Sequence, residues 1–94
     1  MPYVLIHHKV KNIYQLKELF ESDSARRRAG GSKGARLFRD PMDSTLLVGL
    51  LEFEDVAKAR KFAHSAELRK ILAWAGDGCD VKPEVLEEFV SMDA

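Results

Sequence analysis

His7 and His8 are two of the three histidines in this 94-residue chain, and histidine is the side chain best suited to moving a proton near neutral pH. The stretch Pro2 to Val10 alternates with period two. Tyr3, Leu5, His7 and Lys9 fall on one side, and Val4, Ile6, His8 and Val10 on the other. His8 therefore travels with apolar neighbours, either as a hydrogen-bonded core histidine or as a general base. His7 points the opposite way, so the pair does not chelate one metal from a regular strand, and no metal site is expected. Cys79, the sole cysteine, lies apart from other soft ligands and from any base, and reads as an inert thiol.

The other residues with chemical potential each carry two readings. Tyr14 belongs to the first turn of a predicted helix, beside its apolar stripe, and either leans over a pocket mouth or packs on the surface. Trp74, near the end of a later helix, either packs in a core or dimer contact or stacks on a ligand. Arg36 and Glu52 stand on adjacent predicted strands. They form a cross-strand ion pair, or Arg36 orients a carboxylate or phenolate. Arg26, Arg27 and Arg28 close a helix whose terminal carbonyls favour positive charge, and are a solvated helix end or an anion-holding rim. Gly30-Gly31-Ser32-Lys33-Gly34 lacks the spacing of a phosphate loop and leads into a strand, so that reading is rejected.

The element that must organise these residues is Thr45 to Glu54, in which Leu46 to Leu51 is apolar throughout except for Gly49. A strand here presents apolar side chains to both faces, as a central strand does. Leu47, Gly49, Leu51 and Phe53 share one side; Leu46, Val48, Leu50 and Glu52 share the other, with Glu52 as its one charge. Asn12, with Gln15 three residues on, is a helix N-cap. Ile13, Leu16, Leu19 and Phe20 form the stripe of a helix running to Ala29, stopped by Gly30. A short strand, Ala35 to Asp40, turns through Asp40 to Ser44 into the central one. Asp55 caps a second helix carrying Val56, Ala59, Phe62 and Ala63. Ser65 restarts it with Leu68, Ile71, Leu72 and Ala75, and Gly76-Asp77-Gly78 ends it. Val81 to Val90 reads as a last strand, with Pro83 requiring an edge or a strand start.

The order strand, helix, strand, strand, helix, strand is the split βαβ arrangement: an α+β, ferredoxin-like fold with a four-stranded antiparallel sheet and both helices on one face. Residues 1–94 are expected to form one domain. Fifteen basic and fifteen acidic residues cancel, which gives no electrostatic case for nucleic acid or a membrane surface. No apolar run approaches the roughly 18 residues of a membrane span. No secretory signal opens the chain, and the cytoplasm is the expected compartment. The helix-free sheet face would expose about several hundred Å² of apolar surface, so a homodimer through the sheet faces is expected.

His8-Lys9-Val10, Gly31-Ser32-Lys33-Gly34 and Phe53-Glu54-Asp55, followed by an alanine-rich helix, together with the element order, resemble the dimeric α+β barrel superfamily and its antibiotic-biosynthesis-monooxygenase-like proteins. The resemblance covers nearly the whole chain. It implies a pocket between helices and sheet and, among the superfamily's activities, cofactor-free oxygenation of phenols, haem degradation or isomerisation of the muconolactone type. The haem-degrading members use an Asn at the end of the first strand and a Trp followed by a His on the second helix. Here those places hold His8, Phe62 and Leu72, while Trp74 and His64 occur in reversed order, so haem chemistry is not carried over and no cofactor is expected. The resemblance points instead to a small aromatic or hydrophobic ligand, with His8 as base and Tyr14, Arg36, His64 and Trp74 as ligand contacts. The alternative is a non-catalytic ligand-binding or stress-response dimeric module.

Overall fold

The computed structural model describes residues 1–75 and 83–93, without the side chains of His8, Leu72, Trp74 and Ala75. Its elements are β1 (Pro2–Lys9), α1 (Ile13–Ser22), α2 (Ser24–Ala29), β2 (Ser32–Arg39), β3 (Leu46–Phe53), α3 (Val56–Ala63), α4 (Ala66–Ala75) and β4 (Glu84–Glu87). The strands lie in the order β2-β3-β1-β4 with every neighbouring pair antiparallel. This is the ferredoxin-like α+β fold, and β3 is one of its two central strands.

Alternation along β3 sorts its side chains. Leu47, Gly49, Leu51 and Phe53 are buried, while Leu46, Val48, Leu50 and Glu52 keep partial exposure. Val4 stands opposite Leu51 and Ile6 opposite Gly49 on β1, so the buried residues of both central strands share one face. Leu16 and Phe20 of α1, Ala59 and Ala63 of α3, and Leu68 of α4 complete that core. Burying a Leu or Phe side chain stabilises the fold by about 1.5–3 kcal/mol, so this face dominates the energetics. The opposite face carries Tyr3, Leu5, His7, Leu46, Val48, Leu50 and Phe38, and Phe38 is 49% exposed.

The predicted single helix from Asn12 to Ala29 is two helices. Asp23 leaves helical geometry (φ −94°, ψ 6°), and the Ser22 hydroxyl donates to the Leu19 carbonyl at 2.9 Å. Short polar side chains that compete for backbone groups favour such breaks. Gly30 does not supply the left-handed stop either, since its φ is −83°. The positive φ, +96°, belongs to Gly31. Its carbonyl accepts from the Glu54 N–H at 3.0 Å, and a Cβ there would sit 2.5 Å from Lys58 Cδ, so only glycine makes this close approach without strain.

β2 begins at Ser32 rather than Ala35, with a register irregularity between Ser32 and Gly34 that absorbs the glycine-rich entry. Among the described residues the last strand is confined to Glu84–Glu87, so residues 88–90 of the expected Val81 to Val90 fall outside it. Glu84–Glu87 pair with Pro2 to Leu5 and the ladder ends there, where β1 itself begins. As Pro83 requires, β4 is an edge strand. Gly76-Asp77-Gly78, Cys79 and Val81 lie outside the described residues.

The junction of β3 and α3 is fastened electrostatically. Glu54 accepts from the Lys58 ammonium and lies 3.4 Å from Lys33 Nζ on β2. These hydrogen bonds, Lys58 first, hold the Glu54 carboxyl below its ordinary value, as the Thr45 hydroxyl and amide do for Asp43. Both folded-state values are depressed, so their stabilisation is present above the unfolded-state carboxylate range and is lost as pH falls through the folded values. The melting temperature should therefore hold between pH 7 and about 5 and fall at lower pH. The fall should be shallower in Glu54→Gln; equal slopes in circular-dichroism melts of the two proteins would show that the Glu54 cluster is thermodynamically silent.

Candidate functional site

Between α1, α2 and the edge of the sheet lies a cavity of about 540 Å³, within the range of small-molecule sites. Alternation on β2 builds its floor. Ala35, Leu37 and Arg39 share the core-side parity and all line it, with Leu47 of β3 beside them. Gly49 makes room for this: a Cβ at that position would lie 3.3 Å from Leu37 Cδ2. Leu37 therefore lies across β3 and gives the floor its apolar centre.

The helical wall supplies Ile13, Phe20 and Tyr14. The Asn12 side chain accepts from the Tyr14 amide at 3.0 Å and the Gln15 amide at 3.3 Å, which fixes where α1 starts. Tyr14, 67% exposed, stands at the rim. Lys17 and Glu21, one helical turn apart, pair at 3.1 Å along the same wall.

Arg27 is the cation that enters the wall. Its guanidinium donates to the Phe20 carbonyl and lies 5.2 Å from the Phe20 ring centroid. Burial pulls its pKa below the ordinary arginine value, and the charge of Asp23 opposes that shift. Asp23 Oδ1 itself lies 3.3 Å from Arg26, which also reaches Glu67 at 3.8 Å. The three arginines thus part company: Arg26 is ion-paired, Arg27 is tucked between helix and sheet, and Arg28 is exposed. Arg27 also borders a second cavity of about 280 Å³ between α2 and the two later helices, where Lys58, Lys61 and Phe62 lie.

The residues singled out from the sequence do not all meet here. Tyr14 lines the cavity. Arg36 has the parity opposite to Leu37 and is exposed on the helix-free face; it pairs with Leu50, whereas Glu52 pairs with Gly34, so the two charges stand diagonally rather than opposite. His64 is the exposed C-cap of α3. The backbone of His8 stands opposite Leu47, while its side chain, like that of Trp74, is outside the described set. Arg39 and Lys17 were not anticipated. Arg39 carried a readable signal, since it shares the parity of Leu37, but a charge at the end of an edge strand looks like any solvated residue. Among the described residues no group of three potential metal ligands occurs, and no helix is long and apolar enough to cross a membrane.

Neither a protein-family model nor a curated protein matches the sequence. Solved structures do match in shape. The crystal structure of an antibiotic biosynthesis monooxygenase superimposes with a TM-score of 0.68 at 16% identity, covering 96% of this chain and 100% of that one. A conserved protein from Methanosarcina mazei Go1 gives 0.69 at 15%, covering 93% and 91%. A candidate antibiotic biosynthesis monooxygenase from Nitrosomonas europaea gives 0.69 at 16%, covering 96% and 100%. At these identities the likeness establishes the fold, and the fold is the one that the sequence resemblance implied.

Because Asn12 anchors the helix that carries Tyr14 and Lys17, Asn12→Ala should cost about 1 kcal/mol of stability. Urea titration followed by circular dichroism measures this, and an unchanged midpoint would mean that the cap does not hold α1 in place.

Proposed function

We propose that this chain, which shares the fold of antibiotic biosynthesis monooxygenases, works as a homodimer whose cavity in each subunit binds a small aromatic or otherwise hydrophobic molecule and oxygenates it without a cofactor. The observation that carries the reading is the cavity itself: an apolar floor centred on Leu37, Leu47 and Ala35 and a wall of Ile13 and Phe20, with a few charged groups, Lys17, Glu21, Arg27 and Arg39, among them. Apolar lining with a few placed polar groups is the pattern of a small-molecule site rather than of a filled core.

The chemistry that suits such a site is deprotonation of an activated phenol, whose carbanion form reacts with dioxygen directly. Dioxygen then supplies one oxygen atom to the ring and leaves as water with the other, while the phenol is oxidised to a quinone. The role of base is assigned to His8, whose backbone lies opposite the cavity residue Leu47. With a panel of electron-rich naphthols, oxygen uptake should fall about a hundredfold or more in His8→Ala, the scale of a lost general base, with the circular-dichroism spectrum unchanged. Undiminished uptake would remove His8 from the mechanism. Ligand binding without any uptake by the wild type would favour the non-catalytic binding module, a reading to which the placement of Arg36 and His64 away from the cavity already lends weight.

The dimer is proposed from the helix-free face. Leu50 lies at its centre, with Leu5, Val48 and Phe38 around it and Arg36 and Glu84 at the two ends of one cross-strand row. Covering such a patch is worth about 25 cal/mol per Å² before association costs. Sedimentation at micromolar concentration should give a two-chain mass for the wild type and a one-chain mass for Leu50→Arg; a wild type that sediments as one chain would overturn the proposal.

A further inference from the structure

We propose that the molecule held in the helix–sheet cavity is an organic monoanion with an apolar body, its carboxylate or phenolate taken by Arg27 with Arg39 as a second positive charge; this rests on the cavity being the binding site. The charges around the cavity carry the argument. Three cations line it, Lys17, Arg27 and Arg39, against one carboxylate, Glu21. Glu21 is engaged by Lys17 at 3.1 Å, and Asp23, the acid nearest Arg27 along α2, is engaged by Arg26 at 3.3 Å. Among the described residues no carboxylate lies within salt-bridge distance of Arg27 or of Arg39.

A half-buried cation whose nearest carboxylate, Asp23, is already bridged by Arg26 is only partly compensated, and a bound anion supplies the direct contact that Asp23 does not. The Arg27 guanidinium is also held for the task. One N–H is spent on the Phe20 carbonyl and the group sits over the Phe20 ring, which restrains its position while leaving other donors for a planar, two-oxygen acceptor. The remaining surface within reach of such a ligand is apolar: Leu37, Leu47, Phe20 and Ile13. One acidic group and an apolar body match this distribution. A polyphosphate, with several charges and no apolar surface, does not.

The test is calorimetric titration of the full chain with 1-naphthoate and with its uncharged analogue 1-naphthamide. Naphthoate should bind the wild type about tenfold or more tightly than the amide, the scale of a charge-assisted hydrogen bond in a partly buried site. Arg27→Met should bring naphthoate down to the level of the amide and leave amide binding as it was. Arg27→Lys, which keeps the charge and loses the fork, should fall between and serves if the methionine variant does not fold. Arg39→Met should weaken naphthoate less and reduce the salt dependence of its binding. Equal binding of acid and amide by the wild type would overturn the monoanion and leave the cavity reading standing. A preference for naphthoate that is undiminished in Arg27→Met, or in Arg27→Lys where the methionine variant does not fold, would overturn the role of Arg27. Binding of neither compound would overturn the monoanion and the cavity reading together.

Discussion

The side of β3 that carries Leu47, Leu51 and Phe53 has to be kept from water, and most of the architecture is a consequence of how that is done. All three are essentially inaccessible, as are Val4 and Ile6 beside them on β1. Two central strands with buried alternate residues define one dry face, which the helices cover, and one helix-free face. α3 lies across β1, β3 and β4, while α2 sits toward β2, at the other edge. The cavity is the part of that dry face, near β2, that the helices do not fill.

Its chemical character comes from two local events that are individually modest. The first is the break at Asp23. Had the helix run unbroken to Ala29, Arg27 would belong to the same cylinder as Phe20; with the break, its guanidinium turns back on the carbonyl and ring of Phe20 and is drawn out of solvent. The second is Gly49, whose missing side chain lets Leu37 lie over the strand. One event puts a restrained cation in the wall, the other an apolar surface on the floor. A site able to tell an acid from its amide needs both, because the apolar surface binds either compound and the cation favours only the charged one.

The charges elsewhere behave differently. Lys17 with Glu21, Lys58 with Glu54 and Arg26 with Asp23 are neighbours within three or four residues along the chain, and all of these side chains but Asp23 are exposed. Such pairs contribute little singly, yet two of them engage Glu21 and Asp23, the acids nearest the cations of the cavity. Local pairing on the surface is what leaves the cavity electropositive in a chain with no net charge.

Much of this was legible in the residues. The period-two patterns of Pro2 to Val10 and of Leu46 to Phe53, the caps Asn12 and Asp55, and the restart at Ser65 are local signals, because strand parity and cap hydrogen bonds depend on residues only a few positions apart. They suffice for the element order, for the buried side of each central strand, and hence for the ferredoxin-like sheet. What the chain alone could not decide was which cations meet across space. Arg36 and Arg39 look alike in sequence, and register with β3 alone sends one to the helix-free face and the other to the cavity. Arg26, Arg27 and Arg28 are three identical letters whose fates were set by a helix break and by the positions of Phe20 and Glu67, a carboxylate about forty residues away. Local hydrogen bonding and side-chain periodicity determine secondary structure, but a binding site is made by contacts between elements distant along the chain, and those exist only once the sheet has closed its register and the helices have packed on it.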